Sequence, residues 1–104
     1  MKNPGLAYPQ KELADFCQRW KVAEVALFGA VLRDDFRPDS GVEVLVTFAP
    51  EGRWSHFDLI NMQNELEVIF DRKVELVERK ALEKSLNATR RKNILSNIEV
   101  IYAA

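Results

Sequence analysis

Leu13, Phe16, Cys17 and Trp20 recur at i, i+3, i+4 and i+7, which predicts one stripe of an amphipathic helix over residues 10–21. Residues 22–28 switch to a nearly continuous apolar run broken by Glu24, as expected of a strand covered on both faces. Gly29 supplies a turn, residues 30–36 have room for a short helix, and Arg37-Pro38-Asp39-Ser40-Gly41 carries loop chemistry. Strict alternation follows over 42–48, with Val42, Val44, Val46 and Phe48 on one side and Glu43, Leu45 and Thr47 on the other. Pro50-Glu51-Gly52 closes that strand. Ser55, with Asp58 three residues on, caps a long helix whose inward stripe is Leu59, Met62, Leu66, Ile69 and Phe70. Asp71-Arg72-Lys73 ends it before a third strand at 74–78. Two short helical pieces, 80–85 and 89–98, come next, and 98–102 has extended character.

The resulting order, α-β-α-β-α-β-α, predicts an α/β (α+β) fold in which a sheet and its helices form two layers, because long apolar strands need helices over them. The 104 residues suit one domain, with 1–9 as an irregular lead-in marked by Pro4, Gly5 and Pro9. Fifteen basic and sixteen acidic residues leave a formal charge of -1, which gives no global attraction to nucleic acid. No apolar run approaches the roughly 18 residues that span a bilayer. The first ten residues also lack the apolar centre of a signal peptide. The single Cys17 cannot form an internal disulfide, so the cytoplasm is the expected location and no membrane partner is expected.

Candidate chemistry is concentrated between Leu27 and Phe48. Gly29-Ala30 is followed by ten residues and then by Gly41-Val42-Glu43. Later, Lys73-Val74-Glu75-Leu76-Val77 places a second carboxylate on a strand. This layout resembles the signature of the minimal nucleotidyltransferases of the DNA polymerase beta-like superfamily: Gly-Ser, ten residues, Asp-x-Asp, then an aspartate on the next strand. The resemblance covers about residues 25–102 and implies the nucleotidyltransferase fold, a small mixed sheet of three to four strands packed with helices. Alternate strand positions share a face, which makes Asp-x-Asp an efficient clamp for divalent ions.

The resemblance assigns Gly29, Ala30 and Arg33 to nucleotide binding, and Glu43 and Glu75 to the catalytic, metal-holding positions in vestigial form. The departures share one direction. Ala30 lacks the family hydroxyl, Asp34 replaces a glycine, and Gly41 supplies no ligand where the first aspartate belongs. Glu43 and Glu75 keep carboxylates but lengthen each by one methylene, on the order of 1.3 Å. Each of these residues also has an ordinary reading: Gly29 as a tight turn, Arg33, Glu43 and Glu75 as solvent-facing polar positions.

Elsewhere the signals are weaker. His56, the only histidine, stands at a helix start and reads as structural or solvated. Cys17 falls in an apolar stripe and reads as core rather than nucleophile. The run Arg90-Arg91-Lys92 reads as a solvated helix face, and Trp54 beside Gly52 as an exposed interface anchor.

Two functions follow from the resemblance. The first is a non-catalytic member acting as an antitoxin-like binding partner of a HEPN-type helical protein, with a homo-oligomer also compatible. The second is an active nucleotidyltransferase that uses Mg2+ and moves a nucleotide from ATP or another NTP to a protein or small acceptor. Asp39 would then stand in for the ligand missing at Gly41. A third reading, a nucleotide sensor or nucleic-acid binder using Gly29, Arg33 and the 90–92 run, is opposed by the near-neutral charge.

Overall fold

The computed structural model describes residues 6–33, 36, 37 and 39–104. The first part of the lead-in (1–5), Asp34 and Pro38 lie outside the described residues. Helix α1, Gln10–Arg19, forms where its stripe predicts and buries Leu13, Phe16 and Cys17. Trp20 caps it by donating its backbone N–H to the Phe16 carbonyl. Strand β1, Val22–Phe28, is buried along most of its length.

Among the described residues of 30–36 the expected short helix is not found. A single 3₁₀ turn, Gly29–Leu32, takes its place, and Arg33 is already extended at φ −112°, ψ 161°. So short a segment does not repay α-helical nucleation; the Arg33 N–H instead closes the turn on the Ala30 carbonyl at 2.9 Å.

Strand β2, Val42–Phe48, leads to helix α2, His56–Phe70. The predicted cap is a full capping box: Asp58 N–H donates to Ser55 Oγ at 3.2 Å and Ser55 N–H to Asp58 Oδ2 at 2.9 Å. Strand β3, Val74–Glu78, helix α3, Arg79–Glu83, and helix α4, Ala88–Leu95, follow. Helix α4 ends sooner than its pattern predicts because the chain from Ile98 pairs as strand β4, Ile98–Ala103, so the extended character at 98–102 becomes a fourth strand.

The sheet order is β3-β2-β1-β4. Strand β1 runs antiparallel to both β2 and β4, whereas β2 and β3 are parallel and joined by α2 as the crossover. The alternation of β2 sorts as predicted: Val42, Val44 and Val46 pack with Phe16, Met62 and Leu66 of α1 and α2. Leu45 instead joins Ala26 and Phe28 beneath Leu82 of α3 and Ile94 of α4. The expected two layers are therefore corrected to helices on both faces. The continuous apolar run of β1 requires this, since Ala26 and Phe28 would otherwise face water. Among the described residues, no helix is long and apolar enough to cross a membrane.

Candidate functional site

Register decides where the polar residues of the second face collect. Glu75 is paired with Glu43, Glu43 with Phe28, and Phe28 with Ile98, giving one transverse row across all four strands. Paired residues on adjacent strands point to the same side. The next row on that side contains Leu45 and Ala26, which are buried under Leu82 and Ile94. Helices α3 and α4 thus seal the inner row and leave the outer one open. The opening is a cleft of ≈ 980 Å³ whose walls include Gly29, Arg33, Glu43, Glu75, Arg90 and Asn93. The sequence-derived residues are brought together, and both carboxylates lie on the same face.

Gly29 sits at the end of β1 with φ +79°, a conformation that side-chain-bearing residues rarely adopt. An ideal Cβ built on Gly29 would lie 1.5 Å from Glu43 Oε2 and 2.5 Å from its Cδ. The Glu43 carboxylate therefore rests directly on the glycine. The Ala30 backbone N–H donates to the same Oε2 at 3.3 Å. Glu75 is engaged differently, accepting from Arg90 Nη2 at 3.3 Å. Arg90 is presented by the first turn of α4, where its N–H donates to the cap oxygen Asn87 Oδ1 at 3.0 Å.

Arg90 is exposed, as the solvated-face reading of 90–92 expects, while lining the open cleft; that reading is corrected for Arg91, whose half-buried guanidinium donates to the Ser85 carbonyl. Sequence reasoning joined the 90–92 run to Gly29 and Arg33 only in its third reading and missed the asparagines of the α4 wall. A signal was present in Asn87 as a helix cap, with Arg90, Asn93 and Asn97 recurring at three and four residues, all of which line the cleft.

Gly41 lies against the start of β3. Val42 N–H donates to the Lys73 carbonyl at 2.8 Å, and an ideal Cβ on Gly41 would come within 3.3 Å of that oxygen. Just before β3, Arg72 Nη1 donates to the carbonyls of Arg37 at 2.8 Å and Ser40 at 3.0 Å. Its guanidinium also stands 4.4 Å from the centre of the Phe36 ring. Arg72 thereby holds the loop that leads into Gly41. Asp39 is exposed in that loop and Arg33 is exposed at the cleft wall.

The family chemistry calls for divalent ions, and magnesium demands near-octahedral oxygen ligation, commonly from carboxylates. The residues present do not fit that demand. Gly41 offers no side-chain oxygen, Glu43 is turned onto backbone, and Glu75 is paired with arginine. Among the described residues no group of three or more His, Cys, Asp or Glu side chains stands ready to hold a metal.

Outside the cleft, His56 is exposed as the first residue of α2. Burial pushes the Cys17 thiol up to about 12, which keeps it protonated and inert. The exposed-anchor reading of Trp54 is corrected: the ring is half-buried, edge-on to Trp20 at 5.1 Å and to Phe48 at 6.5 Å. Gly52 and the chain after it fold this indole back onto the end of β2, a long-range contact that its sequence neighbourhood does not signal.

The sequence profile described as "Nucleotidyltransferase domain" matches residues 10–101. No curated protein sequence matches the chain. Among solved structures, a protein proposed to be a minimal nucleotidyltransferase shares 25% identity at a TM-score of 0.62, covering 89% of this chain and 87% of its own. A toxin–antitoxin with AMP-PNP matches at a TM-score of 0.68 and 12% identity, covering 91% of this chain and 73% of its own. The MntA–HepT toxin–antitoxin matches at 0.60 and 12%, covering 91% and 70%. These last two likenesses are of fold.

Proposed function

This chain belongs to the nucleotidyltransferase domain family, and we propose that it has given up nucleotidyl transfer and works as a binding partner, antitoxin-like, of a HEPN-type helical protein. The observation that carries this reading is the donor set. The sheet sets Glu43 and Glu75 abreast, yet the three positions that the resemblance assigns to carboxylates are occupied by a glycine, Glu43 and an arginine-paired Glu75. Phosphoryl chemistry depends on cations and positioning more than on covalent help from the protein, so losing ion ligands removes the main catalytic contribution. What remains is a stable globule with exposed surface for a partner. The similarity in fold to toxin–antitoxin structures supports the same direction.

The test is incorporation of labelled nucleotide from ATP with magnesium, comparing wild type with Glu43→Gln. Background signal in both is the expected result. Incorporation by wild type that Glu43→Gln abolishes overturns the reading. For the partner, co-expression with a HEPN-type protein encoded beside this chain is expected to yield a stoichiometric complex; separate elution of the two counts against it.

A second reading, transfer supported by a single magnesium ion with ATP or another NTP, has one observation in its favour: Glu43 and Glu75 are register partners on one face. The same labelled-nucleotide experiment decides between the two.

A further inference from the structure

Resting on the non-catalytic reading, we infer that Glu43 is a built-in stopper: its carboxylate occupies the space over the Gly29–Ala30 turn, so the cleft is closed to phosphate groups by the protein's own anion. Three observations converge on this. Gly29 lacks the side chain that would exclude the carboxylate, and Oε2 fills that vacated volume to within 1.5 Å of an ideal Cβ. The Ala30 N–H, a donor suited to an anionic oxygen, is used by Oε2 at 3.3 Å. Glu43 and Phe28 are register partners, which places the base of the Glu43 side chain beside the end of β1 and next to the turn.

The physical step is the extra methylene. A carboxylate held close to its strand would point into the cleft, where its oxygens would be available to a divalent ion. One methylene more, about 1.3 Å, lets the group fold over onto the turn instead. There it presents to the backbone what a phosphate oxygen would present, a charged acceptor for an N–H. Lengthening at this position converts a potential ion ligand into a competitor of the phosphate. Restoring Asp at Gly41 alone would accordingly leave the cleft closed, because the occupied turn is elsewhere.

The experiment is calorimetric titration of tripolyphosphate and, separately, of ATP, both at low ionic strength with EDTA. Wild type, Glu43→Ala and Glu43→Gln are compared, each first shown to melt cooperatively. Glutamine keeps the length and an acceptor oxygen without the charge, so it still covers the turn. The expected result is at least tenfold tighter binding by Glu43→Ala than by wild type, with Glu43→Gln close to wild type. Equal affinity in wild type and Glu43→Ala, including no binding by either, overturns the inference. Glu43→Gln opening the cleft as far as Glu43→Ala also overturns it, since charge repulsion rather than occupancy would then exclude the anion. Failure here is separable from failure of the functional reading. Magnesium-dependent transfer by wild type defeats that reading, whereas an unresponsive cleft without transfer defeats only the stopper.

Discussion

Replacing Gly29 with alanine probes the turn through stability rather than binding, and its cost divides into two parts. The first is conformational. At φ +79° an alanine Cβ crowds its own backbone, costing about 1–2 kcal/mol. The second is contact. The new Cβ would land 1.5 Å from Glu43 Oε2, so the carboxylate must swing aside and abandon the Ala30 N–H. Because the obstacle is the far end of a flexible side chain, the displacement itself is cheap. The lost hydrogen bond, long at 3.3 Å and only part-buried, is worth about 1 kcal/mol. The total is about 2–3 kcal/mol. With a urea slope of roughly 1–2 kcal/mol per molar, the midpoint falls by roughly 1–3 M.

A double-mutant cycle separates the parts. In a Glu43→Ala background only the conformational term survives, so Gly29→Ala should cost about 1 kcal/mol less there. Urea unfolding followed by circular dichroism on the four proteins gives the coupling directly. Identical costs in both backgrounds refute the contact between Glu43 and the turn. A neutral Gly29→Ala in wild type refutes the left-handed turn itself.

Other outcomes follow from the same structure. Burial pushes the Cys17 thiol from its ordinary 9.0 up to about 12. The unfolded thiol therefore ionises first: stability from this residue is intact below pH 9 and declines by about 1.4 kcal/mol per pH unit above it. The difference in urea midpoint between wild type and Cys17→Ala should stay constant up to pH 9 and shrink beyond. Arg72→Ala removes two bonds to the 37–40 loop and the contact with Phe36, and is expected to cost about 1–2 kcal/mol. Proteolytic cutting at that loop should accelerate, with Arg72→Lys only partly protective. Leu66→Ala, at a fully buried position of α2, should lose about 2–5 kcal/mol, while Val68→Ala, 81% exposed two residues later, should stay within about 0.5 kcal/mol of wild type. Comparable losses at the two positions would mean that α2 is rotated from its observed face.

Much of this was legible in one dimension because periodicity is a local property of the backbone. A helix repeats every 3.6 residues and a strand every two, so Leu13–Phe16–Cys17 and Val42–Val44–Val46 announce their elements and their inward faces without knowledge of neighbours. The Ser55–Asp58 box is equally local, its two partners three positions apart. The spacing from Gly29 to Glu43 marked the ends of two adjacent strands, and the site is found there.

Tertiary structure decided the rest, for reasons that spacing does not contain. Whether Glu43 and Glu75 stand abreast depends on the register of β2 against β3, and a slip of one residue would send Glu75 to the opposite face. The pairing of Arg90 with Glu75 was not legible because the two lie fifteen residues apart, with helix α3 between them. Trp54 looked exposed because the ring that covers it belongs to α1's end, Trp20. Most consequentially, the sequence told which carboxylate faces the cleft but not where its end comes to rest. That depends on the volume beside it, and Gly29 leaves the volume that Glu43 fills.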